Sequence, residues 1–123
     1  NGTYKGVKLK RDGEEIPHSI FLHPPTKGSS EVSYPLAGKK VAFRTAVAII
    51  AIGDDARDPA TATTFEVLGD GQSLWMSKPA TKANTYETCE LQLDKVKKLT
   101  LRVACPGPNT CARAVWYEPI LAE

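Results

Sequence analysis

Between Val41 and Ile52 the chain keeps a period of two. Val41, Phe43, Thr45, Val47, Ile49 and Ala51 alternate with Ala42, Arg44, Ala46, Ala48, Ile50 and Ile52. A helix repeats its apolar face every 3.6 residues, so this pattern belongs to an extended strand. Towards Ile52 both faces become apolar, which a strand tolerates only when it is covered on both sides. The segment therefore predicts the central strand of a sandwich. The same alternation returns in Thr63–Leu68, in Leu91 and Leu93 set against Glu90, Gln92 and Asp94, and in Leu99, Leu101, Val103 and Cys105. Residues Ala112 to Leu121 read as a last strand.

Punctuation between these segments is regular. Pro24-Pro25, Lys27–Ser30, Gly38, Gly53–Pro59, Gly69–Gly71 and Pro106–Asn109 supply turn residues. Glycine tolerates the positive φ of a tight hairpin, so Gly69-Asp70-Gly71 predicts a reversal that brings Ser73–Met76 back against Thr63–Leu68. No segment shows a capped helical stripe. Many short strands with such spacing predict an all-β β-sandwich of the jelly-roll type, spanning residues 1–123 as one domain. The first residue is Asn1, and the chain reads as a piece of a longer protein.

Composition narrows the function classes. A net charge of +2, with the lysines scattered, does not provide the basic surface that nucleic acid or an acidic membrane needs. No apolar run approaches the roughly 20 residues of a membrane helix. Three cysteines are present. Cys105 and Cys111 bracket a turn and predict a disulfide, worth about 2 kcal/mol through loop closure, in an exported protein. Cys89 shares parity with Leu91 and Leu93 and predicts a buried, inert thiol. His18, His23, Cys105 and Cys111 could together ligate zinc, but at no usual spacing.

Candidate chemistry is sparse. No nucleophile motif, metalloprotease helix or phosphate loop is present. Paired carboxylates that meet only in space would leave a glycosidase open as an alternative. Asp54, Asp55 and Asp58 lie on one loop after the long strand and could bind calcium; a solvated acidic turn would read the same way. Trp75 and Trp116 could stack on the apolar face of a sugar ring. Trp116 shares parity with Ala114 and Ile120, which suits a core position equally well.

Three segments, taken together, resemble the NPCBM domain family, whose name marks it as a carbohydrate-binding module. The first is His23-Pro24-Pro25 followed by Ser29–Leu36. The second is Phe65-Glu66-Val67 followed by Gly69–Leu74. The third is Val96–Val103, then Ala114-Val115-Trp116, Pro119 and Leu121. The match runs from about Tyr4 to Leu121. The resemblance implies a jelly-roll module attached to a larger secreted protein. It also implies carbohydrate (glycan) binding, with galactose-type sugars foremost, and a structural calcium ion. Carried over residue by residue, His23, Glu31, Arg113 and Trp116 become the ligand-binding set. Ala112 and Ala48-Ile49-Ile50 depart from the family pattern, each where an acidic residue is usual. These departures leave open a structural or protein-interaction module that has lost the sugar site. The expectation is a non-catalytic carbohydrate-binding domain, extracellular or periplasmic, partnered by glycan and by other domains of its own protein.

Overall fold

The computed structural model describes residues 19–51 and 57–122, together with four short strands upstream of them. Those four are β1 (Thr3–Tyr4) paired with β2 (Val7–Lys8), and β3 (Lys10–Arg11) paired with β4 (Glu14–Glu15). Eight further strands follow: β5 (Ile20–Leu22), β6 (Gly28–Pro35), β7 (Val41–Ile49), β8 (Thr64–Gly69), β9 (Gln72–Met76), β10 (Glu87–Leu93), β11 (Lys98–Cys105) and β12 (Ala114–Ala122). Among the described residues there is no helix, and so none long and apolar enough to cross a membrane.

The eight strands form two four-stranded antiparallel sheets, in the orders β10-β7-β12-β5 and β6-β11-β8-β9. This is the expected all-β sandwich. The strand that is apolar on both faces, β7, is interior as predicted, flanked by β10 and β12. Its inward residues Phe43, Val47 and Ile49 join Phe65, Val67, Leu93, Leu99, Leu101, Val103 and Trp116 in the core between the sheets. Its outward residues Ala46, Ala48 and Ile50 form a second buried cluster with Val115 and Tyr117, against which Phe21 and Tyr86 pack. Both faces are thus dry, which is why the alternation fades towards Ile50.

The predicted hairpin is present. Asp70 and Gly71 have φ of 51° and 83°, and Gly69 pairs with Gln72. Two successive positive φ values make the two-residue turn whose twist matches that of the flanking strands. The Asp70 carboxylate fixes the turn to its neighbour, because Oδ1 accepts from the N–H groups of Lys97 and Lys98 at 3.0 and 2.9 Å. Near the end of β12 the register slips by one residue. Tyr117 lies opposite Ala46, yet Ile120 lies opposite Arg44. The extra residue is taken up at Glu118-Pro119, where proline has no ladder N–H to lose. The buried Thr45 hydroxyl donates to the Tyr117 carbonyl at 2.8 Å beside this bulge.

The direction of the strands decides where loops collect. β5, β7, β9 and β11 end, and β6, β8, β10 and β12 begin, at the same end of the sandwich. The described residues of the connecting segments, 23–27, 50–51, 57–63, 77–86 and 106–113, therefore converge there.

Candidate functional site

The loop end gathers two of the four residues expected to bind ligand. In the β12–β5 ladder Ala114 pairs with Leu22, Val115 with Phe21 and Trp116 with Ile20. The ladder ends there, and Arg113 and His23 are the next residues beyond it on the two segments. Ile50 joins the row from β7, donating its N–H to the Arg113 carbonyl at 2.9 Å. Ala114 and Leu22 point into the core, whereas His23 keeps to the face of Phe21 and Arg113 is half-buried in the turn closed by the Ala114 N–H and the Ala112 carbonyl at 3.1 Å. The His23 ring lies over that of Phe21, with centroids 6.3 Å apart.

The Pro24 carbonyl favours one tautomer of His23. Its Nδ1 lies 3.2 Å from the Pro24 carbonyl oxygen, which can only accept. Nδ1 therefore carries the proton, and in the neutral ring Nε2 is left as an acceptor. The surrounding backbone is also fixed. Ser30 Oγ donates to the His23 carbonyl at 3.0 Å, and Asn109 Nδ2 donates to the Pro24 carbonyl at 2.8 Å. The Lys27 N–H reaches the Gly107 carbonyl at 3.3 Å. A half-buried aromatic ring, an imidazole acceptor and a guanidinium at the end of one ladder suit an amphipathic, hydroxyl-bearing ligand. Phe21 was not among the expected residues. Its signal is the i, i−2 spacing from His23, which puts both on one face of a strand.

Trp116 and Glu31 lie elsewhere. Trp116 is fully buried, edge-on to Phe65 at 5.4 Å and close to Trp75 at 6.5 Å. It is a core residue and presents no face to a sugar, and its indole Nε1 has no hydrogen-bond partner among the described residues. Glu31 is on the outer face of the other sheet. There it accepts from Arg102 Nε at 2.9 Å, and Arg102 also reaches Glu66 at 3.5 Å, making a cross-strand carboxylate–guanidinium–carboxylate row.

The expected bridge between Cys105 and Cys111 is not formed in the structure. Cys105 and Cys111 are free thiols. Cys105 ends β11 at the inward parity of Leu101 and Val103, and its Sγ–H points to the carbonyls of Gly107 and Pro108 at 3.2 and 3.5 Å. Cys111 sits within the 109–112 turn in a left-handed conformation, φ 61°. Cys89 is buried as expected. Burial first, then the negative charges of Glu87 and Glu90, push its thiol up to about 12.

For metals, Asp54, Asp55 and His18 lie outside the described residues. Asp58 is exposed, and its Oδ1 accepts from the Ala83 N–H at 2.9 Å, so it fastens one loop to another. Among the described residues no group of three or more His, Cys, Asp or Glu side chains could hold an ion. They do not by themselves fit calcium or zinc.

A sandwich with these segments in this order can now be compared with known proteins. The NPCBM/NEW2 domain model matches residues 2–122. The chain belongs to the NPCBM/NEW2 domain family. Its fold is similar to the M60 catalytic domain with the CBM51-1 and CBM51-2 domains from Clostridium perfringens ZmpB. That likeness has a TM-score of 0.71 and 24% identity, over 93% of this chain and 12% of that one. It is also similar to CBM51 from Clostridium perfringens GH95 in complex with methyl-galactose, with TM-score 0.68 and 19% identity over 93% of this chain and 78% of that one. A third likeness is to CBM51-2 in complex with GlcNAc and INT domains from ZmpB, with TM-score 0.70 and 18% identity over 89% and 23%. The NPCBM domain thus spans about an eighth of the first of these chains. No curated protein matches its sequence.

Proposed function

We propose that this NPCBM domain is a non-catalytic carbohydrate-binding module that holds a terminal sugar at the loop end of the sandwich. The observation that carries the reading is the row of His23, Arg113 and Phe21 at the end of the β12–β5 ladder. His23 Nε2 accepts from one sugar hydroxyl, the Arg113 guanidinium donates to another, and the Phe21 ring lies under the C–H face. Family membership supports the ligand class, and the fold it shares with modules described with methyl-galactose and GlcNAc makes galactose-type and N-acetylglucosamine sugars the first ligands to try.

Glu31 and Trp116 act indirectly in this reading. Trp116 forms the core beneath β5 and β12 that fixes the row, and Glu31 pairs with Arg102 on the far sheet. Calcium is tested by repeating the sugar titration with a chelator, where loss of binding shows that the metal supports the site. The domain serves as an appendage that directs a larger, exported protein to glycans outside the cell. Affinity is modest, because a small open site removes little apolar surface from water. The test is a titration of the isolated domain with methyl-galactose and methyl N-acetylglucosaminide, followed by amide chemical shifts. The reading requires saturable shifts at residues 21–24 and 112–115, and their absence with both sugars in a folded domain overturns it.

A further inference from the structure

The segment between β9 and β10 crosses from one sheet to the other and is tied down along its length. Ser77 donates its N–H to the Phe65 carbonyl at 2.8 Å, and its hydroxyl accepts from the Phe65 N–H at 2.9 Å. Thr63 and Ala80 exchange two backbone bonds at 3.1 and 2.7 Å. Asn84 donates its N–H to the Ile49 carbonyl at 2.6 Å. Beneath this strap lies a cleft of about 310 Å³. Its floor is apolar, made by Val47 and Phe65, and Pro79 and Tyr86 stand at its sides. Its rim carries Thr81, Thr85, Lys78 and Lys82.

The mouth carries charge of both signs, with Glu87 in the lining beside the two lysines. Lys78 and Lys82 are both exposed, and among the described residues neither ammonium is in an ion pair. The two carboxylates attached to the strap each accept from its backbone: Glu87 from the Lys78 N–H at 3.0 Å and Asp58 from the Ala83 N–H at 2.9 Å. They hold the strap's shape and leave the two ammonium groups to meet an occupant. The volume is at the small end of ligand-binding clefts and suits one sugar ring. An apolar floor receives the C–H face of a pyranose, threonine hydroxyls meet its hydroxyls, and ammonium groups meet a carboxylate.

We propose that this cleft is a second sugar site, separate from the His23–Arg113 row, and that it takes a pyranose bearing a carboxylate, of the uronic or sialic acid class. It shares with the function proposed above only the premise that the domain binds sugars. The test uses the isotope-labelled domain, titrated with methyl glucuronide, the methyl glycoside of N-acetylneuraminic acid, and methyl glucoside as the neutral match. At least one acidic sugar is expected to shift amides within 77–87 and to bind about tenfold more tightly than the glucoside, the worth of one charge-assisted contact. Which acid binds names the source. The Lys78→Met/Lys82→Met variant changes two exposed side chains and is expected to lose that tenfold preference while its response to methyl-galactose at residues 21–24 is unchanged. The proposal is overturned if neither acid shifts 77–87, if the glucoside binds as well, or if the double variant binds the acid like the parent. Failure of the His23–Arg113 site shows separately, as loss of the methyl-galactose response with the acid response intact.

Discussion

Replacing Trp116 separates its role in the core from a role in the site. The side chain is 0% exposed and meets Phe65 and Trp75 edge-on. Removing a buried tryptophan to alanine costs about 3–5 kcal/mol. One term works the other way: the buried Nε1–H has no partner, a penalty of about 1–3 kcal/mol that the substitution relieves. The net for Trp116→Ala is therefore about 2 kcal/mol. With an unfolding entropy of about 2.1 cal/mol/K per residue over this chain, that lowers the melting temperature by about 8 °C. Trp116→Phe removes two carbon-sized units, about 0.8 kcal/mol each, and the same orphan N–H. Those terms nearly cancel, and its melting temperature stays within about 4 °C of the parent's.

Sugar binding gives the second half of the test. A core Trp116 predicts that Trp116→Phe, melting like the parent, binds methyl-galactose within about twofold, because no contact of the His23–Arg113 row has changed. Thermal melting followed by circular dichroism, paired with the shift titration, reads both quantities. A Trp116→Phe protein that melts normally but loses sugar binding about tenfold would refute the reasoning, since it would put the indole in the site. An alanine variant as stable as the parent would refute the packing argument.

Further outcomes follow from other parts of the fold. Asp70→Ala is expected to cost about 2 kcal/mol by chemical denaturation, losing two backbone contacts to a carboxylate and gaining left-handed strain. Asp70→Asn, which keeps an acceptor and tolerates positive φ, is expected to cost less than half as much; equal losses would contradict this account of the turn. Cys89, raised to about 12 by burial, stays protonated and unlabelled by iodoacetamide in the folded protein at neutral pH. Because its folded pKa lies above the unfolded value of 9.0, its contribution to stability is intact below pH 9.0 and is lost as pH rises towards 12. Cys89→Ala is expected to flatten that alkaline decline, and a parallel decline would count against it. In denaturant without reductant, all three cysteines are expected to be alkylated, since all are free thiols; a mass two hydrogens lower with two sites blocked would restore the Cys105–Cys111 bridge.

Most of the sandwich was readable because its long strands carry a period of two. β7, β10, β11, β12 and the β8–β9 hairpin all announce themselves this way. β5 did not, being three residues wedged before Pro24-Pro25, and β6 did so only through family resemblance. Its Gly28-Ser29-Ser30 start is nearly featureless, and edge strands have less need of an apolar pattern. The site was harder to read for a related reason. Alternation sorts side chains into two faces but does not say which face is the core. In β12 both are buried: Trp116 between the sheets, and Val115 and Tyr117 in the outer cluster. Glu31 lies close to His23 in sequence, yet it sits on the other sheet, where its partner Arg102 comes from the neighbouring strand 71 residues away. The closeness of Cys105 and Cys111 in the chain suggested a bridge, whereas the inward parity of β11 turns Cys105 into the core.

The central claim is that a sugar sits on the row of His23 and Arg113. The measurement that tests it most directly is the methyl-galactose titration repeated on His23→Ala and Arg113→Met, with melting temperatures recorded for each. Both residues are half-buried, so the melting temperatures separate a loss of folding from a loss of binding. Each is expected to weaken binding about tenfold, the worth of one hydrogen bond to a sugar hydroxyl at an otherwise intact site. Folded variants that bind methyl-galactose as tightly as the parent would contradict the claim and move the site away from this row.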